Sequence, residues 1–117
     1  MTKIELKIEY DAFKERTAGD MALQSDLLSC FEIECADVCK SLNDNILKKD
    51  NNAILSDLHK LKGSVGVFGF ANITDRISEL ENALKSNCGI DFAIDLPELF
   101  SSIKKHIVEL KKYIVNN

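Results

Sequence analysis

Within residues 58–70, "LHKLKGSVGVFGF", His59, Lys62 and Ser64 carry groups that can do chemistry, and three glycines, Gly63, Gly66 and Gly69, follow the histidine. A neutral imidazole is a nucleophile near neutral pH, and a lysine one turn away is a cation able to neutralise anionic oxygens. The glycines are costly in a helical context, about 1 kcal/mol each relative to alanine. Their presence implies that something bulky must come close to the backbone beside the imidazole.

Which side of the helix these residues occupy decides that reading. Ile54, Leu58, Leu61, Val65 and Phe68 recur at alternating steps of four and three, so they define one apolar stripe. At about 100° per residue, His59 lies nearly opposite that stripe and points to solvent. Gly63 and Gly66 fall within roughly 40° of His59, and Lys62 about 60° to one side. The glycines therefore clear the surface around an exposed imidazole. No Asp or Glu occurs between Asp57 and Asp75, and Lys48, Lys49 and Lys60 lie near the histidine in sequence, so the surface around it is expected not to be acidic.

The elements that position these residues are helices. Leu27, Phe31, Cys35, Val38 and Leu42 form the stripe of a first long helix that begins after Asp20 and ends near Lys48 and Lys49. The histidine helix is predicted over about residues 52–68. Asn72, with Asp75 three residues on, reads as the N-cap of a third helix with the stripe Ile73, Ile77, Leu80 and Leu84. The fourth carries Leu96, Leu99, Ile103, Ile107, Leu110 and Ile114, with Pro97 tolerable in or near its first turn. Four amphipathic helices with short connections predict an all-α fold, an antiparallel up-down four-helix bundle, with an additional short N-terminal helix over residues 10–16. Before it, Ile4, Leu6, Ile8 and Tyr10 alternate with charged residues as a strand would. A lone strand has no partner in such a fold, so residues 1–9 are assigned to an extended or helical arm and residues 10–117 to the domain.

Composition removes several function classes. A chain of 117 residues has room for one core, and 45% hydrophobic with 29% charged residues is the balance of a globular domain. A net charge of −4 argues against nucleic-acid binding through a broad basic surface. No apolar segment resembles a signal peptide or a membrane span, which makes the cytoplasm the expected location. The "KKHIVELKKY" segment needs its apolar stripe for the core, so no membrane contact is expected of it. Cys30, Cys35, Cys39 and Cys88 lack paired C-x-x-C spacing and read as free thiols, although Cys35 and Cys39, one turn apart, have the spacing of half a metal site. His106 sits at the edge of the last stripe without glycines or a matched lysine, the setting of a packing residue.

The run His59-Lys60-Leu61-Lys62-Gly63-Ser64, with Gly69 ten residues beyond the histidine, resembles the signature of histidine-containing phosphotransfer (HPt) domains of multistep two-component phosphorelays. "AGDMALQSDLLSCFEIEC" resembles the family's lead-in and "ISELENAL" the helix after the motif, so the resemblance spans about residues 10–113. It implies a carrier that accepts a phosphoryl group on His59 from a receiver-domain aspartate and passes it to another. Lys62 would be the neighbour that orients or neutralises the phosphoryl oxygens. Gly63 would admit the partner, and Leu55, Lys60, Gly63, Ser64 and Gly66 would form the docking surface.

Phosphoryl transfer needs positioning and charge neutralisation more than covalent machinery, which suits these side chains. The sequence contains no P-loop, kinase-type glycine loop or acidic metal cluster. The expectation is therefore a phosphocarrier and not an enzyme, without a cofactor of its own, with Mg²⁺ supplied by the partner. The expected partners are receiver domains of a hybrid sensor kinase, a response regulator or both, and the expected state is a monomer. A free-standing carrier and the excised module of a hybrid sensor kinase both fit. The competing class is a phosphate-independent helical adaptor, which would need the stripes but not His59, Lys62 and the glycines together.

Overall fold

The computed structural model describes residues 3–87 and 89–116, with side chains described for residues 9–87 and 89–115. The described chain is entirely helical: α1 (Lys3–Arg16), α2 (Met21–Leu47), α3 (Asn51–Gly66), α4 (Ala71–Lys85) and α5 (Phe92–Asn116). No strand occurs among the described residues.

Short polar side chains start two of these helices. Asp20 precedes α2 and accepts from the Leu23 amide at 3.0 Å, while Asp50 does the same for α3 through the Ala53 amide at 3.1 Å. Each satisfies one of the amide donors that a helix start leaves open. The expected cap of α4 is corrected: the helix begins at Ala71, so Asn72 lies inside its first turn, and the cap position is Phe70, which offers no side-chain acceptor. The Ala71 amide instead donates to Glu9 Oε1 at 3.2 Å, a carboxylate from another helix. α5 also begins a turn earlier than Leu96 and Pro97 imply, at Phe92, so Pro97 stands in the second turn. There Asp91 caps the helix through the Ala93 amide.

Of the extended or helical arm expected before residue 10, the helical form is found. It runs on into the short helix expected over residues 10–16, so that residues 3–16 form one continuous helix in spite of the strand-like alternation. Alternation over a few residues is compatible with a helix when a second spacing accompanies it. Tyr10, Phe13 and Thr17, at steps of three and four, are all buried and make one face. A helix satisfies its own backbone, whereas a lone strand would leave its ladder groups unpaired. The boundary between residues 9 and 10 thus falls inside α1.

α2 packs on α3, α3 on α4, α4 on α5, and α5 on α2, which places the stripes of four helices on one core. Ile54, Leu58, Leu61, Val65, Ile77, Ile103 and Leu110 are almost wholly buried, as the periodicities require. Phe31 and Phe13 pack tilted against Phe68, with centroids 5.0 and 5.1 Å from it, and Phe70 stacks on Phe68 at 5.7 Å. α1 thereby contributes to the core. Asp57, on α3, accepts from Ser41 Oγ at 2.9 Å and Asn45 Nδ2 at 2.8 Å, which fixes α3 against α2.

Candidate functional site

On α3 the residues Ile54, Leu58, Leu61 and Val65 face the core, and this sets the rotation that carries His59 outward with its side chain 77% exposed. Gly63 and Gly66 lie on the same side. A Cβ built on either would meet nothing within 4 Å, so neither glycine is required by packing inside the chain. Gly69 has a different reason. Its φ is +73°, a left-handed turn conformation, and a Cβ there would come within 3.3 Å of the Arg16 guanidinium, which donates to the Val67 carbonyl at 2.8 Å. Two of the three glycines therefore keep the surface open, and the third turns the chain.

Lys62 leans toward α4, where its Nζ lies 2.7 Å from Glu81 Oε1. The Glu81 side chain is only 8% exposed, and its other oxygen is 3.8 Å from His59 Nδ1. One buried carboxylate thus faces both the imidazole and the ammonium group. Ser64 leans the other way and donates to Glu34 Oε2 on α2 at 2.8 Å. α2 and α4 therefore supply two carboxylates that the α3 segment lacks, one of them paired with Lys62. Glu81 had a faint signal, since it stands four residues after Ile77 and so falls on a buried stripe, where a carboxylate needs a partner. Glu34 had none, because its contact spans 30 residues of chain.

Between α2 and α3 an open groove of about 470 Å³ runs past His59, and Lys60, Gly63 and Ser64 line it together with Cys30 and Glu34. Next to it, Gly66 lines a recess with Leu23, Leu27 and Val67, of which Leu23 is 42% and Val67 48% exposed. Leu55 is half-buried and lines neither. His59, Lys60, Gly63 and Ser64 thus line one groove with Gly66 beside it, and Leu55 stands one turn before His59 on α3 without lining either recess.

A family model for the Hpt domain matches residues 26–112, most of the chain and all of the site. The chain belongs to the Hpt domain family. Membership in this family implies histidine phosphotransfer in two-component signalling. No match was found among curated proteins or among solved structures.

The remaining chemical groups lie elsewhere. His106 donates from Nδ1 to the Ser102 carbonyl at 2.8 Å and packs its ring 4.9 Å from Phe70, as a packing residue would. Cys35 and Cys39 line a second groove between α2 and α5, and among the described residues no cluster of three His, Cys, Asp or Glu side chains is placed to hold a metal ion. Burial is the main cause that pushes the Cys35 thiol up to about 11, so it stays protonated near neutral pH. No described helix is long and apolar enough to cross a membrane.

Proposed function

We propose that His59 is the phosphoacceptor of a phosphorelay carrier, which takes its phosphoryl group from a receiver-domain aspartyl phosphate and delivers it to another receiver-domain aspartate. The observation that carries this reading is the exposed imidazole followed on the same helix face by two glycines on which a Cβ would meet nothing within 4 Å, with Lys62 one turn away. In the forward step the imidazole nitrogen forms the N–P bond as the P–O bond to the aspartate breaks, and the electron pair leaves with the carboxylate. Nδ1 is the nitrogen nearer Glu81, so Nε2 is the one offered to the partner. Glu81 offsets the positive charge that grows on the ring during attack and helps hold its orientation. Lys62, held by Glu81, is placed to swing toward the phosphoryl oxygens.

Leu55, Lys60, Gly63, Ser64 and Gly66 are assigned to the docking surface. Exposed Leu23 and Val67 extend that surface with apolar area. Mg²⁺ belongs to the partner's acidic site. We assign the arrangement of α2 to α5 to an antiparallel up-down four-helix bundle, an assignment supported by the brief connections 48–50, 67–70 and 86–91 and by α5 packing back on α2. In this reading residues 10–117 make a monomeric cytoplasmic carrier module without an ATP site.

The test is incubation with a receiver domain carrying radiolabelled phosphate. Acid-labile label should appear on the chain and should be absent from His59→Gln, whose helical circular dichroism stays unchanged. Label that persists in the variant, or never reaches the wild-type chain, overturns the assignment. A receiver that binds without passing label would identify the chain as an adaptor.

A further inference from the structure

Among the α2 residues that line the groove toward α5, Cys35, Ala36 and Cys39 are small, whereas α5 presents Phe100, Ile103 and Ile107. Small residues on one wall and large ones on the other leave a groove of about 770 Å³ between the two helices. That volume is in the range of sites that hold small organic molecules, about 300–1,000 Å³. The floor is apolar: Ile103 and Ile107 are buried beneath it, and Val108 on the rim is 50% exposed. Since the Cys35 thiol stays neutral, the floor carries no charge at physiological pH.

The rim is charged, with an excess of cations. Glu32 and Lys111 form an ion pair with each other across the groove. Lys40 and Lys104 also line it and make no ion pair among the described residues, and besides Glu32 the acid on this rim is Asp44, one turn after Lys40 on α2. Lys104 stands close enough to the floor to act on the Cys35 thiol electrostatically. An apolar trough flanked by two unneutralised ammonium groups matches a molecule with an apolar body and one anionic end.

We propose that the α2–α5 groove is a binding site for a small amphipathic anion, an aliphatic or aryl carboxylate whose apolar body lies over Ile103 and Ile107 while its carboxylate meets Lys104 and Lys40. His59 lies on α3, which contributes no side chain to the groove, so the site is separate from the phosphotransfer surface and does not depend on the reading of it.

Displacement of the fluorescent anion 1-anilinonaphthalene-8-sulfonate by decanoate, below its micelle concentration, tests the site. Decanoate should displace the dye with a single saturable phase, and decyltrimethylammonium should not. Ala36→Leu fills the groove and should abolish displacement. Lys104→Glu should weaken decanoate by roughly threefold to tenfold, the effect of altered charge at a partly exposed pair. Circular dichroism confirms that each variant is folded, and Lys104→Glu decides the question if Ala36→Leu is not. Three results overturn the proposal: no saturable displacement, equal displacement by the cationic surfactant, or unchanged decanoate binding in the folded variants. A concentration-dependent dimer in sedimentation that Ala36→Leu dissociates would also overturn it, since a second copy would then occupy the groove.

Discussion

At the scale of single residues, Glu81 changes what Lys62 means. The lysine is the half-buried neighbour that the motif supplies, and it is also the counterion of a buried carboxylate. Lys62→Ala should therefore slow phosphoryl loading of His59 and also lower stability by about 1–3 kcal/mol, because a carboxylate is left buried without its cation. Adding Glu81→Gln should restore most of the stability but not the loading rate. Urea denaturation of the two single variants and the double variant, alongside loading rates, separates these effects. Equal recovery of rate and stability would mean that Lys62 acts only by holding Glu81. Tyr10 offers a second test. Its hydroxyl is buried without a hydrogen-bond partner, and burial pushes its pKa up to about 12. Since the folded value lies above the ordinary value of 10, the contribution to stability is complete below pH 10 and is lost as pH rises from about 10 toward 12. Tyr10→Phe should be neutral or stabilising at pH 7 and should flatten that alkaline decline in a urea series; a steeper decline would contradict the assignment.

At the scale of elements, α3 and the turn after it divide the glycines by purpose. Gly63→Leu should leave stability unchanged or raise it, since leucine is the better helix former and no atom of the chain occupies the space, yet it should block transfer by filling the approach to His59. Gly69→Ala should show the reverse. At a φ of +73° and against the Arg16 guanidinium, a methyl group should cost about 1–2 kcal/mol, read as a lower urea midpoint, while His59 still becomes labelled. Transfer lost with Gly69→Ala in a folded protein, or retained with Gly63→Leu, would reverse the two roles.

For the whole molecule, α1 is the element that the Hpt match leaves out, as it covers residues 26–112. It is nevertheless joined to the core: Phe13 is 1% exposed against Phe68, Tyr10 packs near Phe70 and Tyr113, and Gln24 donates to Thr17 Oγ1 at 2.8 Å. Glu9 and Arg16 reach across to the segment between α3 and α4. Phe13→Ala should consequently cost about 3–5 kcal/mol, the range for removal of a buried ring, and a urea midpoint near wild type would show that α1 is an appendage. The molecule extends 44 Å along its longest axis, close to the roughly 40 Å that 27 residues of α2 span at 1.5 Å each. A site near the middle of α3 is thus carried on long, stiff supports.

The helices from α2 to α5, their apolar stripes and the outward direction of His59 were legible in the order of residues, because a period of 3.6 residues is a local property and places every side chain around its own axis. Leu58, Leu61 and Val65 are buried and His59 is exposed for that reason alone. The same order made the family legible, since His59, Lys62 and Gly63 stand within one and a half turns. The contacts between helices depend on packing and have no local signature. Nothing local says that Glu81 meets Lys62 and His59, that Glu34 takes Ser64, or that Glu9 replaces Asn72 at the start of α4. The choice left open for the arm, extended or helical, was decided in the same way: over a few residues alternation and helical spacing overlap, and the rings of Phe68 and Phe70 pack against Tyr10 and Phe13 on one face of a continuous helix. The α2–α5 groove, too, follows from which stripe faces which, a matter of packing between segments some sixty residues apart that no single period encodes.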